Sequence, residues 1–212
     1  MVEHEFLQTK EFIAKVKPLV KKYLEEAELF LMPKKPVKIN LVYTSSPHVI
    51  KDMGGSTGFT WENNITLEIN TETKGWKDRL RGTVMHEFNH AMRYQITGKS
   101  FDDYAFIDSF AMEGLAQCFE EHITGNINPW SKAISKTKAR IMWRKIKPLL
   151  NEKNNGNLYQ RIFLSRNDKT FPHWTGYTVS YLTLSKKLKE LDLEWPEIMK
   201  IDSKSLVANG LE

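Results

Sequence analysis

The segment Thr83-Val84-Met85-His86-Glu87-Phe88-Asn89-His90-Ala91-Met92-Arg93 constrains this chain more than any other. It carries His-Glu-x-x-His in a stretch that reads as a helix. Side chains four apart on a helix stand one turn above the other on one face, so both imidazoles can reach a single metal ion. Glu87, next to the first of them, can contact a water on that ion without being a ligand itself. Leu80, Val84, Phe88, Ala91 and Met92 form an apolar stripe from which His86 and His90 point away. An exposed helix with two solvated histidines would display the same five residues, so the motif needs support from elsewhere in the chain.

A catalytic zinc site takes three protein ligands and keeps its fourth position open. The segment Asp108 to Gln117 supplies a carboxylate, Glu113, on a second apparent helix, with 22 residues between His90 and Glu113. That interval lets one helix end, a loop turn at Gly98-Lys99-Ser100, and the next helix run back alongside. Gly114 costs about 1 kcal/mol against Ala in a helix interior. With Ala111 and Ala116 nearby, it predicts a close approach to the metal helix. Gln117, one turn after Glu113, is a candidate for supporting a ligand from behind.

With both motifs present the chain resembles the gluzincins, metalloproteases with two His and one Glu as zinc ligands. More narrowly, it resembles the YjaZ-type family of small predicted zinc-dependent proteases. The matching features are Gly54-Gly55, His86-Glu87-Phe88-Asn89-His90, Glu113-Gly114-Leu115-Ala116 and His173-Trp174-Thr175-Gly176-Tyr177, spread over roughly residues 40 to 190. The second and third are the specific ones. Ser180 stands where the family pattern leads one to expect a further Gly. The resemblance implies an α+β, zincin-like fold, with a small sheet on the metal helix and a mostly helical C-terminal half. It also implies one Zn2+ per chain, held by His86, His90 and Glu113, with Glu87 as catalytic base and a peptide or protein as substrate. A donor for the developing oxyanion is expected from outside the two ligand helices. Tyr177 and His173 face one way if their segment is helical. Tyr177 is favoured, because the Gly-Tyr pair belongs to the resemblance and a phenol donates at any working pH. Packing beside Trp174 is the alternative for both.

A competing class is a non-catalytic regulatory or interaction protein that keeps a metal site and offers a basic helical surface. Retained Glu87 argues for the enzyme, since a structural site needs ligands but no base. The net charge of +5 is modest and does not by itself argue for nucleic acid. The basic face is Lys132, Lys136, Lys138, Arg140, Arg144, Lys145 and Lys147, on an amphipathic segment over 131–150 with Ile134, Ile141, Met142, Ile146, Leu149 and Leu150 opposite. With few interleaved aromatics it reads as a solvated face, and no specific nucleic acid is expected. Cys118 is the single cysteine, so no intramolecular disulfide can form, and a buried small hydrophobe in a reducing, cytoplasmic setting is expected. No stretch approaches the length of a membrane span, and Met1-Val2-Glu3-His4-Glu5 has no signal-like pattern.

At 212 residues the chain suits one domain. A helix is expected over about 5–31, kinked or divided at Pro18. A sheet follows over about 37–70, with strands at Val37–Tyr43 and Asn64–Asn70 and a turn or bulged strand at Gly54 to Gly58. The strand at Ile65–Ile69, just ahead of the metal helix, is expected at a sheet edge, where free backbone groups hold extended peptide. Metal helices are expected over about 76–123, the first from about Trp76 to Thr97 and the Glu113 helix from about Asp102 to Ile123, and a helical part over about 131–200 that includes a last helical region opened by Phe171-Pro172-His173. Glu120, Glu121 and His122 read as a solvated turn rather than a second metal site.

Overall fold

Residues 64–69 alternate Asn-Ile-Thr-Leu-Glu-Ile, and Ile65, Leu67 and Ile69 are all essentially inaccessible to solvent. That period-two pattern makes a strand with one face turned inward. In the computed structural model this strand, β3 (Asn64–Ile69), is the centre of a three-stranded sheet of order β1-β3-β2. β1 (Lys38–Tyr43) runs parallel to it, in register Ile39 to Ile65 and Leu41 to Leu67. β2 (Ser56–Trp61) runs antiparallel, with Gly58 opposite Leu67 and Thr60 opposite Ile65. The expected edge position of β3 is therefore corrected: its backbone groups are taken on both sides, and β1 and β2 are the edges. A two-residue link, Glu62-Asn63, joins β2 to β3, with Glu62 at φ 52°.

The structure describes residues 10–99, 103–153 and 156–212. They fall into two units, residues 1–95 and 96–212. In the first, α1 (Lys10–Glu28) runs uninterrupted through Pro18, and Phe12, Val16, Val20, Tyr23 and Ala27 are its buried stripe. Pro18 lies inside one continuous helix and does not divide it. Residues 5–9 of the expected helix lie outside the described residues. Arg81 Nε donates to Glu26 Oε2 at 2.9 Å and its Nη2 to Oε1, clamping α1 to the helix that bears the His pair. A short helix, α2 (Pro47–Lys51), opens with Pro at its first position, where the missing N–H costs nothing. Gly54 and Gly55 then turn the chain into β2 at φ 69° and 92°, a region L side chains avoid.

α3 (Trp76–Thr97) has the expected bounds. Its apolar stripe is buried, and so are Thr83, Met85, Glu87, Asn89, His90 and Arg93. From Gly82 to Tyr94 every residue but His86 is buried, so this stretch of the helix is interior and its polar groups depend on partners within the protein.

In the second unit α4 (Phe106–Thr124) is buried at every position from Phe106 to Glu120. Asp108 fixes its start, accepting from the Ala105 N–H, Lys99 Nζ and Ser203 Oγ. Ser100 and Asp102, parts of the expected loop and helix start, lie outside the described residues. The segment over 131–150 is a 3-10 turn (Pro129–Lys132), α5 (Lys136–Ile146) and a second 3-10 turn (Lys147–Leu149). α5 buries Ala139, Met142, Trp143 and Ile146 and leaves its Lys and Arg side chains in solvent. Ile141, expected on the inner face, is 49% exposed. α6 (Gly156–Tyr159) continues into a π turn (Gln160–Leu164). α7 (Thr175–Leu191) packs on α4, followed by α8 (Trp195–Ile198) and α9 (Ser203–Val207).

Gly114 has a different purpose from the expected one. A Cβ there would lie 2.8 Å from the Leu184 side chain and from the Ser180 carbonyl, so the glycine admits α7. Glu120 is also corrected: it is 1% exposed and accepts from Asn128 Nδ2 at 2.7 Å, an interior clasp rather than a solvated turn. Its neighbour Glu121 accepts from Tyr181 Oη at 2.7 Å, and burial with that bond pushes the phenol's pKa up. Cys118 is buried, as expected, and desolvation pushes its thiol pKa up. No helix among the described residues is long and apolar enough to cross a membrane.

Candidate functional site

Three of the sequence-predicted site residues stand together in the first unit. The His86 and His90 rings are edge to face with centroids 4.6 Å apart, the one-turn offset that an i, i+4 pair dictates. His90 is 6% exposed and His86 half-buried.

Glu87 is 6% exposed, and its carboxylate is held from the sheet. Thr60 Oγ1 lies 2.7 Å from Glu87 Oε2 and 3.1 Å from the Glu87 carbonyl, so the hydroxyl donates to the side chain or the main chain of that residue. Two positions back on the same strand face, Gly58 leaves room for the same side chain. A Cβ at Gly58 would meet Glu87 Cγ at 2.4 Å and Oε1 at 2.9 Å. Further along, Thr83 Oγ1 lies 3.4 Å from the Ser56 carbonyl. The inward face of β2 is thus small or hydroxylic at Ser56, Gly58 and Thr60, which is what brings an edge strand down onto α3. Neither Gly58 nor Thr60 was singled out from the sequence; the short spacing Gly-x-Thr carries no motif of its own.

Glu113 belongs to the second unit, on the buried stretch of α4. Tyr159 Oη donates to Glu113 Oε1 at 2.6 Å, and the hydroxyls of Tyr159 and Tyr177 are 3.3 Å apart. Burial, then the nearby Glu113 carboxylate and Tyr177, hold the Tyr159 pKa well above its ordinary value of 10.0. The phenol therefore keeps its proton, which it needs in order to donate. Phe163 orders the two tyrosines, stacked on Tyr159 at 4.6 Å and edge-on to Tyr177 at 5.0 Å. Gly176 makes room for Phe163, since a Cβ there would lie 2.6 Å from its ring. The Gly-Tyr pair seen in the sequence thus has two separate uses: one residue makes space and the other places a hydroxyl.

Gln117 does support this region, but not the Glu113 carboxylate. Its Nε2 lies 3.1 Å from the Glu113 main-chain carbonyl, 3.1 Å from the Tyr177 carbonyl and 3.3 Å from Ser180 Oγ, while Ser131 Oγ donates to its Oε1 at 2.7 Å. The link ties α4 to α7. Ser180, where a glycine was expected, is fully buried and takes part in it. The side-chain support sought at Gln117 comes instead from Tyr159, which no sequence signal marked.

His173 and Tyr177 do not share a helix. α7 starts at Thr175, and Trp174 before it has φ 62°. His173 lies in the preceding turn, stacked on Trp174 with centroids 4.2 Å apart. Their expected common facing therefore fails: one left-handed residue between them breaks the 3.6-residue period on which it depended.

A family model described as "Predicted Zn-dependent protease (DUF2268)" matches residues 16–208. The chain belongs to that family of predicted zinc-dependent proteases, as the resemblance in its motifs implied. No curated protein and no solved structure matches it.

Proposed function

We propose that the chain is a zincin-type zinc metallopeptidase, with one Zn2+ held by His86, His90 and Glu113 and with Glu87 as general base. The three proposed ligands make up a set able to hold a metal ion. Two imidazoles and one carboxylate suit catalytic zinc, which takes three such donors and leaves a fourth position open. Zinc bound there supplies Lewis acidity, lowering the pKa of water toward neutrality and polarising a carbonyl.

The chain's own residues do the rest. Glu87 takes a proton from the attacking water at its carboxylate and passes it to the leaving amine. Thr60 and the space over Gly58 hold that carboxylate in one rotamer, and its burial limits competition from bulk water. Tyr177 donates to the oxyanion that develops on the scissile carbonyl. Its hydroxyl neighbours the phenol that braces Glu113, whereas His173 is engaged with Trp174.

The observation that carries the reading is Glu87 itself: a carboxylate beside a His pair, buried and hydrogen-bonded, with a glycine opposite it. A metal site that only stabilises a fold or a partner surface needs ligands and has no use for such a base. Protein loaded with zinc should cleave members of a peptide library. Glu87→Gln should keep its zinc and lose at least about 10²-fold in turnover, while His86→Ala and His90→Ala should lose zinc. Stoichiometric zinc with no cleavage by the parent, or full activity in Glu87→Gln, favours the regulatory alternative.

A further inference from the structure

We infer that Tyr159 is a positioning residue for Glu113. Its phenol holds one carboxylate oxygen so that the other is presented as a single ligand oxygen. The inference rests on the zinc reading above and assigns a use to a residue that reading does not require.

A glutamate ligand has two equivalent oxygens and three side-chain torsions, so its coordination is defined only if something restrains it. Tyr159 supplies the restraint from a fixed place. Its Oη donates to Glu113 Oε1 at 2.6 Å, within the range of an O–H donor to a carboxylate. The ring is locked by stacking on Phe163 at 4.6 Å with planes 12° apart. Phe163 is itself fully buried on the π turn, against the space left by Gly176. A π turn widens the helix by one residue, and such turns recur at functional sites. Here it follows directly on Tyr159.

The proton order follows. The single Tyr159 proton lies in its hydrogen bond to Glu113, so toward Tyr177, 3.3 Å away, the Tyr159 oxygen can only accept; Tyr177 donates to it in the free protein and turns its own single proton to the oxyanion when substrate is bound. Hydrogen bonds from outside the coordination sphere that orient a ligand are worth about 10- to 100-fold in metal affinity.

The test is zinc affinity by chelator competition, with fold checked by circular dichroism, together with the visible d–d spectrum of the Co2+-substituted protein. Tyr159→Phe keeps the ring and the stack and removes only the hydroxyl. It should weaken zinc binding about 10- to 100-fold. It should also lower the Co2+ band intensity, as the released carboxylate swings to two-oxygen coordination and the coordination number rises. Tyr177→Phe, which leaves the Tyr159–Glu113 bond in place, should weaken zinc less than Tyr159→Phe does. Parent-like affinity and spectrum in Tyr159→Phe, with zinc lost in Glu113→Ala, overturns the positioning role and leaves the zinc site standing. Parent-like zinc binding in Glu113→Ala overturns the zinc reading and this inference with it.

Discussion

The two units hold their functional residues in opposite ways. In residues 1–95 the His pair and Glu87 lie within five consecutive positions of one helix, and the helix period alone sets their mutual geometry. Only the bracing of Glu87 by Gly58 and Thr60 comes from a distant segment, 27 residues back for Thr60. In residues 96–212 nothing is local. Glu113 meets Tyr159 across 46 residues of chain, and Tyr159 meets Tyr177 across 18 more. The difference teaches where each half is vulnerable. The first is set by secondary structure and fails when a side chain is changed on it. The second is set by packing between elements and fails when their spacing changes.

Gly58→Val is the sharpest way to break this contrast, because it attacks the first unit through tertiary contact. The added atoms would overlap Glu87 Cγ, which an unmutated β2 approaches over bare Cα. Turnover should fall by about 10²-fold or more, on the scale of lost general-base help, while zinc content stays at parent level. A fall in zinc as well would mean that α3 itself had shifted, and the helix would then be less self-sufficient than its local geometry implies.

Gly114→Ala probes the second unit's dependence on spacing. Alanine should gain about 1 kcal/mol of helix propensity at this position. Overpacking against the Ser180 carbonyl and Leu184 opposes that gain by about 1–3 kcal/mol. A net loss of stability, read as a lower urea midpoint with unchanged slope, is expected. A midpoint raised above the parent's would show that α7 can retreat freely, and that Tyr177 is not tied to the α4–α7 distance.

The smallest effect is expected at the Glu26–Arg81 clamp, where the first unit ties α3 to the sequence-distant α1 by charge. Glu26→Gln should cost about 0.5–1 kcal/mol at neutral pH, as for a partly exposed ion pair. The hydrogen bonds from Arg81 hold the Glu26 pKa below its ordinary value of 4.5. A lowered folded-state pKa means the contribution is complete above the unfolded value and is lost as pH falls through the folded one. The stability difference between Glu26→Gln and the parent should therefore be constant above about pH 5 and vanish in acid. A difference independent of pH would assign the effect to packing instead.

What the sequence by itself determined is what short-range periodicity encodes. The bounds of α3, the shared face of His86 and His90, the inward face of β3 and the burial of Cys118 all follow from spacing over a few residues. The family followed from two such local motifs. What only the tertiary structure decided is everything that depends on which surfaces meet. β3 is central rather than an edge, because β1 pairs with it across an intervening helix and strand. Gly114 faces α7. Glu120 is interior because Asn128 returns to it. One left-handed residue, Trp174, separates His173 from the helix of Tyr177. Tyr159 was invisible for the same reason: a lone tyrosine in a polar stretch has no period. Its meaning arises when a π turn, a stacked Phe163 and a missing Cβ at Gly176 deliver its hydroxyl to Glu113. Local structure repeats along the chain and can be read from it, but contact between distant segments leaves no repeat to read.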